Sequence, residues 1–449
     1  MNIASQALEQ SNRLKKISVS YIVSTLARAS GFLLTLITTP MLLNYLGKDG
    51  FGLWSIFIQF YNFAAFSDFG LGNGLHNTLL TSRHTKPEAE NILLIQRTFF
   101  LLISIAALLL IVFQIPLYSI NWSSILELNN PALQEILVPS ILVTALLFFS
   151  NVPFVTIQKV QFAYMDHHKV YTWEIYSKIS AIVLIFYAVK SDLPIPYILA
   201  AFFAPRILCN ILNIFTYKRL QIWKITKNSF YLKDKQVSSV AKKGGVFFLI
   251  NIFYALGRTT DNFVIGSFAS LEQLADYQIL LRLYDIPLLL VMMFSTIMWS
   301  AFAESIHKKD YNWVKKTLAK AGVGVALIMA STIIFYAYSS DYLLLLWLGK
   351  AVDVNYSLLY VLGAWTAVVA INNLLSSFLN ATDRILFQVK IFAAYFIIAF
   401  PLKIILIQMF SIESFVIAGT ATFTLTLIIP SLVLIMKDLS TNSINLKRS

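Results

Sequence analysis

Long apolar stretches alternate with short polar ones along almost the whole chain. Twelve of these stretches reach the roughly 20 apolar residues that a helix needs to cross the hydrocarbon core of a membrane. Their approximate bounds are 17–45, 51–78, 92–116, 134–158, 171–190, 194–217, 244–269, 277–303, 316–338, 355–381, 387–410 and 413–436. The pattern predicts an all-α polytopic membrane protein with twelve transmembrane helices.

The composition agrees with this class. Hydrophobic residues make up 58% of the 449 residues and charged residues only 13%, with a mean hydropathy of +0.71. Soluble domains carry about 25% charged residues, so a soluble globular fold is excluded. The single cysteine, Cys209, allows neither an internal disulfide nor a cysteine zinc cage. We expect no metal site.

The basic residues predict the orientation of the chain in the membrane. The net charge is +13, and almost all lysines and arginines outside the spans lie on the side of the N-terminus. The opposite side holds only Lys48, Lys190 and Lys350. Because positive loops stay cytoplasmic, both termini are predicted to be cytoplasmic. The charge therefore lies beside anionic lipid headgroups, which argues against nucleic acid as a partner.

The longest loop, 218–243, divides the predicted spans into six and six. Spans one and seven also share a pattern at a shift of 230 residues. Tyr21, Ser24, Arg28, Gly31 and Thr35 of span one correspond to Asn251, Tyr254, Arg258, Asp261 and Ile265 of span seven. Two halves with the same orientation imply a pseudo-two-fold axis along the membrane normal, as in many transporters. We expect an N-terminal six-helix bundle (1–217), a basic cytoplasmic connecting loop (218–243) and a C-terminal six-helix bundle (244–449), with the substrate site between the bundles.

Ionisable side chains inside the spans are functional candidates, because a charge in hydrocarbon costs several kcal/mol. The cations are Arg28, Arg206, Arg258, Arg282 and Lys403, and the carboxylates are Asp68, Asp261 and Asp285. The structural alternative is local pairing at a spacing of three, Asp261 with Arg258 and Asp285 with Arg282. Even then the interior keeps an excess of cations. This excess suits an anionic substrate, since guanidinium groups bind phosphate oxygens in pairs.

Uncharged polar residues inside the spans form a second set of candidates. Asn62 and Asn73 in span two and Asn373 in span ten are candidates for binding sugar hydroxyls, with hydrogen bonds between helices as the alternative. Glu174 and Lys178 lie four residues apart, so we interpret them as a structural ion pair on one helix.

Catalysis is not expected. The chain has no G-x-S-x-G, no H-E-x-x-H and no glycine-rich phosphate loop. The predicted outer loops are short, the longest lying near 117–133 and 339–354, whereas a glycan polymerase needs room for its acceptor. We expect a protein that is not an enzyme and binds no cofactor.

Several motifs lie within residues 21–80. They are Arg28-Ala-Ser-Gly31-Phe32, Pro40-Met-Leu-Leu-Asn-Tyr-Leu-Gly47, Gly50-Phe-Gly52-Leu-Trp54-Ser55 and Phe66-Ser-Asp68-Phe-Gly70-Leu-Gly72-Asn73-Gly74-Leu-His76-Asn77. Together with the six-plus-six layout, they resemble the Wzx-type polysaccharide flippases. These belong to the multidrug/oligosaccharidyl-lipid/polysaccharide exporter (MOP) superfamily. A weaker match is Gly257-Arg258-Thr-Thr-Asp261-Asn-Phe-Val-Ile-Gly266.

The resemblance implies movement of an undecaprenyl-pyrophosphate-linked oligosaccharide from the cytoplasmic to the outer leaflet by alternating access. The setting would be the bacterial inner membrane, for O-antigen of lipopolysaccharide or for capsule-type glycan. Arg28 and Arg258 would be cavity arginines, and Asp68 and Asp261 their acidic partners. A buried aspartate would carry a coupling proton or sodium ion. A polysaccharide polymerase and a chain-length regulator are the protein partners to expect, besides membrane lipid.

Two other functions stay open. A drug or metabolite antiporter of the same superfamily would favour an interior rich in carboxylates, whereas the predicted interior is cationic. A membrane glycan polymerase or acyltransferase would need a catalytic constellation in an outer loop.

Overall fold

The computed structural model describes residues 3–62, 68–126, 128, 130–217, 226–230, 236–242, 244–245, 248, 260–350, 352–382 and 384–447. This part of the chain is helical and contains no strand. The helices are α1 (Ile3–Asn62), α2 (Leu71–Thr85), α3 (Glu88–Ser119), α4 (Trp122–Ile125), α5 (Pro131–Phe154), α6 (Thr156–Ala163), α7 (His167–Lys190), α8 (Ile195–Thr216), α9 (Asp261–Phe268), α10 (Leu271–His307), α11 (Tyr311–Leu348), α12 (Tyr356–Ala381), α13 (Ile385–Met409), α14 (Ile412–Phe423) and α15 (Ile429–Lys447).

Ten helical stretches of the described part are long and apolar enough to cross a membrane. They are Ile22–Gln59, Glu88–Ser119, Pro131–Ala163, His167–Lys190, Ile195–Thr216, Leu271–Ile306, Tyr311–Leu348, Tyr356–Ala381, Leu386–Met409 and Ile412–Ser440. The predicted class, an all-α multi-pass membrane protein, is confirmed. The predicted count of twelve and the cytoplasmic termini stay predictions, since most of the predicted span 244–269 lies outside the described residues.

The first two predicted spans differ from the observed helices. Helix α1 continues from the first into the second, with a kink at Gly47, whose φ of 70° glycine adopts without a steric cost. The predicted second span, 51–78, is not one helix. Phe69 and Gly70 have positive φ values of 50° and 73°, and a new helix, α2, begins at Leu71. The reason is the side chain of Asp68, whose carboxylate binds backbone amides at the start of α2.

The described chain forms two compact units. The first unit comprises Met1–Gly50 and Phe57–Ile252, and the second comprises Phe51–Ile56 and Phe253–Ser449. One turn of α1 therefore packs with the second unit. The carbonyl oxygen of Leu271 lies 2.1 Å from where a Cβ at Gly52 would be, so this approach requires glycine.

Part of the predicted connecting loop packs on the first unit. Val237 and Val240 join an apolar cluster with Leu71, Leu75 and Leu79 of α2, and a Cβ at Gly74 would lie 2.3 Å from the Val240 carbonyl oxygen.

A single-turn 3₁₀ helix, Lys227–Phe230, attaches the same loop to α3. The Ser229 hydroxyl donates to Gln96 Oε1 at 2.7 Å, and Arg97 Nε donates to the Asn228 carbonyl at 3.1 Å. Both contacts are made with the first unit.

Candidate functional site

A buried ion pair lies inside the second unit. The Lys403 ammonium, on α13, donates to Asp261 Oδ1 on α9 at 2.8 Å. The two residues are only 5% and 8% exposed. Asp261 occupies the first turn of α9, where the partial positive charge of a helix N-terminus stabilises a carboxylate. The sequence thus places opposite charges against each other from two segments 142 residues apart.

Aromatic rings enclose the ammonium group of this pair. Lys403 Nζ lies 4.8 Å from the ring centroid of Phe415, 5.6 Å from that of Trp365 and 5.8 Å from that of Tyr395. Ring faces attract cations, most strongly where water is excluded. On a fourth side, a Cβ at Gly419 would lie 2.6 Å from Lys403 Cε, so glycine leaves the space that the lysine occupies.

A small cleft of the second unit borders the ion pair. Besides Asp261 and Lys403, its walls include Thr260, Phe396 and Phe400. The pair is therefore buried, and the cleft beside it has room for about one water molecule. An anion entering there would compete with Asp261 for the ammonium, and a cation would compete with Lys403 for the carboxylate.

Arg282 of α10 forms a second cationic feature of this unit. Its guanidinium group lies over the rings of Phe51 and Trp54, at 5.2 and 5.8 Å from their centroids. Asp285, three residues further along the helix, interacts electrostatically with it, as the local-pairing interpretation expected.

Asp68 serves as a backbone ligand in the first unit. The side chain is 4% exposed and accepts hydrogen bonds from the amides of Gly70 (2.9 Å) and Gly72 (3.1 Å). Lys159 of α6 interacts electrostatically with Asp68 and donates to Asn73 Oδ1 at 2.7 Å. The sequence interpretation missed Lys159, because the residue falls just beyond the predicted end of span four and was counted as a loop residue.

Arg28 lies on α1 of the first unit with an exposed side chain. Tyr171 of α7 interacts electrostatically with it. The preceding residue, Ala27, offers its carbonyl oxygen to Lys178 Nζ at 2.6 Å. Lys178 also pairs with Glu174 at 2.7 Å, so the predicted pair on α7 is confirmed.

Two of the other predicted residues are half-buried, and two lie wholly or partly outside the described part. Arg206 on α8 and Asn373 on α12 are half-buried. Arg258 lies outside the described residues, as does the side chain of Asn62, so their roles stay predictions. Asp261 has Lys403 as its partner, a pairing that the sequence interpretation did not consider.

The first unit also contains a ladder of buried carboxamides, the amide ladder. Gln161 and Asn213 exchange two hydrogen bonds of 2.6 and 3.0 Å between α6 and α8. Gln158 donates to Asn210 at 3.0 Å, and Asn210 donates to Asn151 at 3.2 Å. The sequence interpretation missed the ladder. Side-chain amides three residues apart, in the segments of α6 and of α8, were a signal for it.

Solved structures with the same fold are transporters. An inward-facing multidrug resistance MATE family transporter of the MOP superfamily has a TM-score of 0.75 at 10% identity, covering 96% of this chain and 99% of its own. The lipid II flippase MurJ, inward closed, has a TM-score of 0.72 at 15% identity, covering 94% and 90%. A MOP superfamily transporter from Pyrococcus furiosus, described as having a binding pocket of reverse polarity, has a TM-score of 0.65 at 10% identity, covering 96% and 97%.

The fold is therefore that of the MOP superfamily transporters, as the sequence motifs predicted. Residues 18–300 match the family model described as polysaccharide biosynthesis protein. The match covers more than half of the chain, which belongs to this family. No curated protein matches the chain by sequence.

Proposed function

We propose that the protein is a flippase for an undecaprenyl-pyrophosphate-linked oligosaccharide. It would move the repeat unit from the cytoplasmic to the periplasmic leaflet of the bacterial inner membrane by alternating access, for O-antigen or capsule-type glycan. Membership of the polysaccharide biosynthesis family supports the pathway. The observation that carries the proposal is the buried pair of Lys403 and Asp261 beside a cleft.

The physical problem of such a substrate explains why a buried cation is useful. A pyrophosphate and its sugars cannot enter hydrocarbon without losing their hydrogen bonds to water, whereas the apolar prenyl tail dissolves in lipid. A caged ammonium replaces part of the lost hydration of the pyrophosphate. Replacing a buried pair with apolar side chains is often neutral or stabilising, so stability alone does not require Lys403 and Asp261.

The pairing also suggests how the substrate would be released. In our proposal, pyrophosphate oxygens displace the Asp261 carboxylate from Lys403, and Asp261 then takes up a coupling proton or sodium ion. When the carboxylate returns to Lys403, the substrate loses its partner and leaves. A transport site must bind strongly enough to admit its substrate and weakly enough to let it go.

The remaining polar residues have supporting roles in the proposal. Arg28, whose side chain is exposed, would contact the phosphates, and Arg258, Arg206 and Arg282 would add to the positive potential. Asn62, Asn73 and Asn373 would bind sugar hydroxyls, and Asp285 would pair with Arg282. Asp68 would act as an acidic partner through Lys159, with which it interacts.

The test is surface polysaccharide in a strain that lacks the gene. We expect loss of surface glycan, lipid-linked repeat units accumulating on the cytoplasmic side, and rescue by the intact gene but not by a Lys403→Met variant. The matched control is Lys308→Met, because Lys308 is an exposed lysine at the end of α10.

Other outcomes would overturn the proposal. Normal glycan together with altered drug tolerance would indicate an antiporter. Loss of polymer while single repeat units still reach the surface would indicate a glycan polymerase or acyltransferase.

A further inference from the structure

Each unit places a lysine against the first predicted span of its half. Lys178 lies on α7, the fifth predicted span of the first half, and Lys403 lies on α13, the fifth predicted span of the second half. Lys178 Nζ donates to the Ala27 carbonyl in α1 at 2.6 Å, and Lys403 Nζ donates to Asp261 in α9 at 2.8 Å. The same helix pair is bridged by a lysine in both units.

The positions that the two lysines face also correspond. The shift of 230 residues that aligns Arg28 with Arg258 aligns Gly31 with Asp261. A Cβ at Gly31 would lie only 3.0 Å from Lys178 Nζ. The position that supplies the carboxylate in the second unit is therefore a glycine in the first, and that glycine also lies against a lysine.

The first unit obtains its carboxylate from another helix. Glu174, one turn before Lys178 on α7, binds the ammonium at 2.7 Å. Of the two hydrogen-bond partners described for Lys178, only the Ala27 carbonyl would remain without this anion. Both units thus hold a lysine ammonium against the first predicted span of the half, but the carboxylates that pair with the lysines come from different helices.

We propose that Glu174 and Lys178 are the counterpart of Asp261 and Lys403, and that they are positioning residues for Arg28. Lys178 binds the carbonyl of the residue directly before Arg28. Tyr171, three residues before Glu174, interacts electrostatically with both Arg28 and Glu174. Glu174 keeps Lys178 on α1, and Lys178 holds the turn of α1 that presents Arg28 to the pyrophosphate. This inference rests on the proposed flippase function.

Moving the carboxylate from α7 to α1 tests the proposal. Glu174→Gln is expected to lower export of surface glycan about tenfold at equal membrane levels, which corresponds to about 1.4 kcal/mol. Adding Gly31→Asp should restore most of the export, because the new carboxylate takes the place that Asp261 has in the second unit. Gly31→Asn in the Glu174→Gln chain is the matched control, equal in size but uncharged, and should restore nothing.

A second comparison separates positioning from general stability. In a chain that carries Arg28→Ala, Glu174→Gln should cause no further loss of export, since its effect runs through Arg28. A purely structural pair would lower export in both backgrounds alike.

Three results would overturn the inference. They are full export by Glu174→Gln, equal export by the Gly31→Asp and Gly31→Asn double variants, and an additive loss in the Arg28→Ala background. The Glu174→Gln chain could fail to accumulate in the membrane. In that case, recovery of membrane levels when Gly31→Asp, but not Gly31→Asn, is added to Glu174→Gln supports the relocation. Equal recovery with both additions contradicts it. Failure of the proposed function is separate, because then the intact gene itself would not restore surface glycan.

Discussion

The amide ladder of the first unit and the ion pair of the second are buried polar groups of different kinds. The first unit contains the amide ladder, in which uncharged side chains such as Gln161 and Asn213 satisfy one another. The second contains the ion pair of Lys403 and Asp261 inside an aromatic cage. Paired amides hold two helices together and have little affinity for a passing ion. A buried charge pair is costly, and either partner can be exchanged for an ion of like charge. The amide ladder is therefore a structural joint, and the ion pair is the exchange site of the proposed function.

Breaking the ion pair should have the largest effect. Asp261→Ala leaves the Lys403 ammonium buried without its counter-charge, which is expected to destabilise the protein by about 3–5 kcal/mol and to abolish export. Unfolding of the purified protein in detergent measures the stability, and surface glycan measures export.

A double variant separates these two effects. Lys403→Met with Asp261→Leu should recover most of the stability while export stays lost. Asp261→Ala with wild-type stability would show that the lysine finds another partner or loses its charge.

Replacing the aspartate at the start of α2 should have the second-largest effect. Asp68→Ala removes an acceptor from the amides of Gly70 and Gly72, and hydrogen bonds to a charged group contribute about 1.5–3 kcal/mol. We expect a lower melting temperature and, at equal membrane levels, export that is reduced much less than by Asp261→Ala. Export abolished by Asp68→Ala in a fully stable protein would instead place Asp68 in the transport cycle.

The amide ladder should respond as a structural joint. Gln161→Leu alone leaves the Asn213 amide unsatisfied, at a cost of about 1–3 kcal/mol, whereas Gln161→Leu with Asn213→Leu should be nearly neutral. A double-mutant cycle on melting in detergent gives the coupling. Export should follow stability in all of these variants. A stable double variant without export would refute the distinction between joint and exchange site.

An exposed ion pair should have the smallest effect. Glu304 in the last turn of α10 and Lys308 just after it also pair, with both side chains 67% exposed, and exposed pairs contribute little. Glu304→Gln is expected to change neither melting nor export. A clear loss would show that charge number rather than burial decides the phenotype.

The lengths of the apolar segments predicted much of the fold. The predicted span 355–381 and the helix Tyr356–Ala381 agree closely, because membrane thickness determines how long an apolar segment must be. The interruption at Asp68 was not predicted. Its cause is a side chain that binds backbone amides, and hydropathy does not report such bonds.

The candidate site was predictable as a set of residues and not as a set of partners. Lys403 and Asp261 were both selected because charges are rare inside spans. Their pairing joins segments 142 residues apart and depends on tertiary packing, whereas sequence spacing favours neighbours such as Arg258 and Asp261. The pair of Glu174 and Lys178 was found because its geometry is that of a single helix.

The docked part of the connecting loop has a consequence for biosynthesis. Val237 and Val240 belong to the same apolar cluster as Leu71, Leu75 and Leu79, so the first unit is incomplete until residue 240 has left the ribosome. A fragment released at residue 217 would expose that face of α2, whereas one released after residue 248 would cover it. If the two halves were expressed from separate genes, the division would have to follow this segment.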